Sequence, residues 1–139
     1  MKLFGSYTSP FVRHCRIVLA QHQQSYEFIP TDYAQSAQQT PTKRVPYFSH
    51  DGLELHDSSS ILRYLRTSAG EGFCDDPATF DLYCTINTAL DATVNIFILS
   101  MDNLTAEQVP YLARQQDRVN AILDTLNARE WGEVDPKND

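Results

Sequence analysis

KLFGSYTSPFVRHCRIVLA, residues 2–20, decides how the chain begins to fold. KLFGSY (2–7) is a short apolar-rich run beside a turn signal and reads as a strand. At Ser9-Pro10 the pattern changes. Serine is a preferred helix N-cap, and proline suits the first helical position because its missing N–H would lack a partner there anyway. Phe11, Val12, Cys15, Val18 and Leu19 then follow at helical spacing. SYEFIPT (25–31) is a second strand candidate. A β-α-β unit of this kind implies a parallel strand pair with a right-handed crossover.

Beyond it, YAQSAQQTPTKR (33–44) is polar and punctuated, and reads as a loop or a short weak helix. VPYFS (45–49), HDG (50–52) and LELH (53–56) read as strand, turn, strand, with Asp51-Gly52 as the hairpin signal. These antiparallel strands are expected to join the same sheet. In DSSSILRYLR (57–66), capping residues precede Ile61, Leu62 and Leu65, which predicts a short helix.

The composition changes after about residue 68. TSAGEGFCDD (67–76) reads as a linker with a glycine helix stop, and Asp76-Pro77 repeats the cap-plus-proline start. Tyr83, Ile86, Leu90, Val94, Phe97, Ile98 and Met101 keep to one helical face, expected to be core or dimer surface. Thr105 and Gln108 have capping-box spacing. Val109, Leu112, Val119, Ile122, Leu123 and Leu126 form the stripe of a second helix, and the tail REWGEVDPKND shows no further element. The expected fold is thus an α/β domain of order β-α-β-α-β-β-α over 1–68, a linker over 69–75, and an all-α partial domain of two helices over 76–139.

Composition narrows the function. Of 139 residues, 42% are apolar and 21% charged, a globular balance. A net charge of -7 is wrong for neutralising phosphates, so no nucleic-acid partner is expected. Cys15, Cys74 and Cys84 are odd in number and lack CxxC spacing, which points to a reducing, cytoplasmic setting. His14, His22, His50 and His56 show no metal-ligand spacing, so no metal is assigned. The N-terminus turns polar too soon for a signal peptide, and no unbroken apolar run has the length a bilayer demands. No membrane partner is expected.

Three stretches carry a resemblance. TSPFVRHCRIVLA (8–20), RVPYF (44–48) and LELHDSSSILRYL (53–65) resemble, in order and spacing, the signature stretches of the thioredoxin-like N-terminal domain of the glutathione transferase superfamily. The likeness covers roughly residues 1–68. SPFVR is most similar to bacterial members with serine at the key position. Residues 76–128 resemble the first two helices of the family's helical domain, whose later helices have no counterpart here.

The resemblance implies glutathione as cosubstrate and assigns roles. Ser9 would donate a hydrogen bond to the glutathione thiolate as the catalytic residue; its hydroxyl also serves as a helix cap. With Ser9 and Val12 where a dithiol motif carries cysteines, dithiol exchange is excluded. Val45-Pro46 would be a cis peptide that turns the Val45 backbone toward the cysteinyl moiety; a strand entry is the plainer reading. Asp57 would fix the α-amino group and Ser58 the γ-glutamyl carboxylate, beside their capping role. Arg44 would reach the glycyl carboxylate or stay solvated. Phe11 would help line the pocket for an apolar electrophile. Cys15 is expected to be buried and structural, and Arg13 and Arg16 solvated. The expected activity is attack of an activated glutathione thiol on a small hydrophobic electrophile by a homodimer. A non-catalytic glutathione-binding or scaffold module, and a glutathione-dependent reductase of disulfides or peroxides, are the alternatives.

Overall fold

β1 (Lys2–Gly5) is bonded on both sides: parallel to β2 (Glu27–Pro30), and antiparallel to β3 (Tyr47–His50), which pairs in turn with β4 (Leu53–Leu55). The strand order is β2-β1-β3-β4. A computed structural model describes residues 1–132, and the chain divides into two compact units, Met1–Phe73 and Cys74–Asp139.

In the first unit, α1 (Pro10–Gln21) links the parallel strands and α3 (Ser58–Ser68) follows β4. Leu3 and Phe48 face each other across the ladder and are fully buried. They share the core with Val12, Cys15, Val18 and Leu19 of α1 and Ile61 and Leu62 of α3. The helical spacing of Val12, Cys15, Val18 and Leu19 is therefore the spacing of a core face. Gly5 lets α1 close down on β1: a Cβ there would stand 2.5 Å from Val12 Cγ2. The hairpin turns through Asp51 and Gly52, both at positive φ, as an Asp-Gly pair favours.

Residues 33–44, open between loop and helix on sequence, contain α2 (Tyr33–Gln39). A reciprocal capping box starts it: Gln35 N–H donates to Asp32 Oδ1 at 2.8 Å, and Asp32 N–H to Gln35 Oε1 at 2.9 Å. In the sheet, Phe4 of β1 stacks on Tyr47 of β3, centroids 4.1 Å apart. At the far end of α3, buried Arg66 donates to Glu71 at 2.7 Å and to Gln21 at 3.0 Å, while His22 Nε2 meets Glu71 at 2.9 Å. The Arg66 and His22 hydrogen bonds hold the Glu71 carboxyl below its ordinary range.

The second unit pairs α4 (Pro77–Met101) with α5 (Pro110–Asn127). Asp76 caps α4 by accepting from the Ala78 and Thr79 N–H groups; the Thr79 side chain first, and these backbone bonds second, hold its carboxyl below the ordinary value. Tyr83 and Ala92 of α4 and Leu112 and Gln115 of α5 are buried.

One expectation for this unit, the place where the second helix starts, is corrected, and two others are refined. The apolar stripe is not all core, because two helices share one seam: Phe97, Ile98 and Met101 are more than half exposed. Thr105 and Gln108 do bond, Thr105 N–H to Gln108 Oε1, but they form a separate turn. The helix waits for Pro110, because the residue before a proline is pushed out of the α region, and Val109 is extended. Finally, α4 is long and apolar enough to cross a membrane by length and composition, with a mean hydropathy of 1.3 over its best 18-residue window. Threonine, asparagine and aspartate interrupt the apolar run and hide that average from inspection. Part of the polar tail, residues 133–139, lies outside the described residues.

Candidate functional site

The register of the sheet brings the predicted site residues to one end of it. Phe4 pairs with Tyr47, and Phe48 with Leu55. The C-terminal end of β1, the N-terminal end of β3 and the C-terminal end of β4 therefore lie together. Ser9, Val45-Pro46 and Asp57-Ser58 are the chain segments that leave or enter those strand ends. Both α1 and α3 start there, so two helix N-termini, each with about half a positive charge, are gathered at the same end.

Ser9 is the N-cap of α1, and its Oγ accepts the Val12 N–H at 3.3 Å. A hydroxyl that accepts in this way keeps its own O–H to donate. Pro10 has no N–H, and the Arg13 N–H goes to the Ser9 carbonyl. That leaves the Phe11 N–H in the first turn, with no partner among the described residues. The Phe11 side chain is half-buried, unlike the fully buried Val12 beside it.

Asp57 caps α3 by accepting the Ser59 N–H at 2.8 Å, and its carbonyl accepts from Ile61 N–H and Ser60 Oγ. Ser58 is buried at the first helical position, and its N–H has no partner among the described residues. The Val45–Pro46 bond is cis. Pro46 is buried, Val45 half-buried and Arg44 exposed on the approach to them. The arrangement offers two open helix N-termini and a backbone edge, which suits a ligand with two anionic groups and a peptide bond.

Sequence reasoning passed over several neighbours. Arg16 is not simply solvated: its guanidinium lies 5.1 Å from the Tyr7 ring centroid and 5.2 Å from that of Phe28. Tyr7 packs on Phe28, centroids 4.7 Å apart, so its ring is held at the β2 edge. Tyr47, next to Pro46, is buried; burial first, and the Glu54 carboxylate second, push its phenol above the ordinary value. Its hydroxyl donates to Gln39 of α2. A tyrosine directly after the Val-Pro pair was the available signal. His56 Nδ1 is buried with no partner among the described residues. No group of three or more metal-ligating side chains is found among the described residues.

Comparison with known proteins bears on the family and the fold. Residues 3–72, half the chain, match the family described as glutathione S-transferase, N-terminal domain. The uncharacterized GST-like protein YibF of Escherichia coli (strain K12) is 32% identical over 89 residues, which are 64% of this chain and 38% of that protein. Among solved structures, a glutathione S-transferase of Methylobacterium radiotolerans, in complex with glutathione sulfonate, has a TM-score of 0.74 at 23% identity. The match covers 90% of this chain and 64% of that one. A glutathione S-transferase of Methylobacillus flagellatus with GSH bound also has a TM-score of 0.74 at 23% identity, over 94% and 72%. The chain thus spans less than two thirds of YibF and of the Methylobacterium protein. With the sheet, the helix starts and the family match in agreement, this chain belongs to the glutathione S-transferase family through its N-terminal thioredoxin-like domain.

Proposed function

We propose that the chain binds glutathione at this end of the sheet and activates its thiol for attack on a small apolar electrophile. The observation that carries the reading is the convergence of two open helix N-termini with the Val45–Pro46 edge at one strand end. The γ-glutamyl carboxylate goes to the Ser58 N–H and hydroxyl, and Asp57 faces the α-amino group. The Val45 backbone pairs with the cysteinyl residue as an added strand does. Arg44, exposed on the same approach, takes the glycyl carboxylate.

The thiol then lies at the start of α1. A free cysteine thiol has a pKa of about 8.5, and a helix N-terminus lowers it. The proton leaves to solvent, and the thiolate is held by the Ser9 O–H and the Phe11 N–H. It attacks an electrophilic carbon, the new C–S bond forms, and the leaving group departs with its electron pair. Phe11 borders the place where the electrophile enters. In this reading the protein works as a homodimer in the reducing cytoplasm, with exposed apolar residues of α4 such as Phe97 and Met101 at its surface of association.

Calorimetric titration with reduced glutathione tests binding, and turnover with an aryl halide tests transfer. Saturable binding and conjugation are expected. Binding without turnover leaves a non-catalytic glutathione module; turnover only with mixed disulfides or peroxides makes it a reductase. No binding at millimolar glutathione ends the reading.

A further inference from the structure

The segment that presents Val45 leaves α2, and α2 is fastened to its unit in an uncommon way. Its sequence, YAQSAQQ, has no large aliphatic side chain, and its one buried residue is Ser36. Apolar burial does not hold it. Polar bonds do. Ser36 Oγ donates to the Tyr33 carbonyl at 3.0 Å and reaches the Lys43 carbonyl at 3.4 Å. Thr40, also buried, donates to the Ser36 carbonyl at 3.1 Å. Lys43 turns the chain at a positive φ of 53°. The one side-chain bond from α2 to the sheet among these is Gln39 Oε1 accepting from the Tyr47 hydroxyl.

Tyr47 is well placed for such a task. Its ring is stacked on Phe4, its hydroxyl lies beside Thr31, and its backbone is one residue beyond Pro46. The bond to Gln39 therefore closes a loop of chain, 40–46, between two fixed points: the end of α2 and the first residue of β3. Arg44 and Val45 lie inside that loop.

We infer that Tyr47 is a positioning residue: its hydroxyl, through Gln39, fixes the 40–46 segment and thereby sets the affinity for glutathione without taking part in the chemistry. The inference rests on the proposed glutathione site. It is specific to the hydroxyl, since phenylalanine keeps the ring stack on Phe4.

Tyr47→Phe and Gln39→Met are the test, with hydrogen exchange on the free protein, glutathione titration, and turnover at saturating glutathione. Loss of one net hydrogen bond is expected to weaken glutathione binding about three- to tenfold in either variant. Amides of residues 42–45, between Pro41 and Pro46, are expected to exchange faster, and kcat to stay within about twofold, because the thiolate contacts are untouched. The double variant should lose no more than the worse single one, as partners in one bond do. Unchanged exchange over 42–45, unchanged affinity, or an equal fall in kcat overturns the inference while glutathione binding itself stands. Gln39→Met leaves the tyrosine in place, so the question stays answerable if Tyr47→Phe folds poorly. Wild-type protein that binds no glutathione is a different result: it overturns the site reading, and the affinity claim falls with it.

Discussion

In the Met1–Phe73 unit a 12-residue helix buries four side chains completely; in the Cys74–Asp139 unit a 25-residue helix buries two residues. The shorter helix, α1, is sandwiched in a core that also contains β1, β3 and α3. The longer helix, α4, has α5 along one seam. Lower apolar content is not the reason, for α4 is the more apolar of the two helices. What differs is the number of neighbours the topology supplies. A stripe becomes a core only when a second layer covers it.

The sharpest way to break this comparison is a matched pair of truncations. Phe48→Ala removes a fully buried ring and should cost about 3–5 kcal/mol in urea unfolding. Phe97→Ala removes an exposed one and should stay within about 0.5 kcal/mol. A Phe97→Ala loss as large as that of Phe48→Ala, growing as the protein is concentrated, would mean that a second copy covers α4. Light scattering across the same dilution series would then show the dimer.

Gly5→Ala comes next. Its Cβ at 2.5 Å from Val12 Cγ2 must push α1 away from β1, at about 1–3 kcal/mol, although alanine is otherwise an easy replacement. Calorimetry should show the loss. A melting temperature equal to wild type would mean that α1 shifts freely, and the first unit is not the tight one.

Ser9→Ala should cost about 1 kcal/mol of stability through the lost cap. Under the proposed function it should lower turnover far more than glutathione affinity. Full turnover with a lowered melting temperature would reduce Ser9 to a cap.

The smallest effect concerns the clasp at the end of α3. Arg66 and His22 lower the Glu71 pKa, so the folded state holds the Glu71 proton less well than the unfolded state does. Its contribution is complete above the ordinary carboxylate value of about 4.3 and fades as pH falls through the lowered folded value. Glu71→Gln should therefore be less stable than wild type at neutral pH, and the gap should narrow below about pH 4. A gap that stays constant down to pH 2.5 would show that the carboxylate charge has no part in the clasp.

Much of the fold was legible because its signals are local. Ser9-Pro10 and Asp76-Pro77 start helices where they stand, and Asp51-Gly52 turns the hairpin. The helical spacing after Pro10 marked the face of α1 that is buried. The signals that misled were also local. Thr105 N–H does reach the Gln108 side chain, but Pro110 takes the helix start from them. The stripe of α4 is regular, yet regularity does not say whether a partner is present.

The site was legible only in pieces. Ser9, Val45-Pro46 and Asp57-Ser58 could each be read as a cap or a strand entry, and the family resemblance was needed to join them. Caps, turns and periodicity were determined by the sequence itself, since each depends on atoms within a few residues. The meeting of three distant segments at one strand end was decided by strand pairing and direction, because these place each strand's terminus near the site or at the opposite end of the sheet. Tertiary structure alone also decided that Arg16 lies over Tyr7 and Phe28, that Tyr47 reaches Gln39, and that Phe97 stays exposed. Those outcomes depend on which side chains arrive from elsewhere in the chain, and no local pattern encodes that.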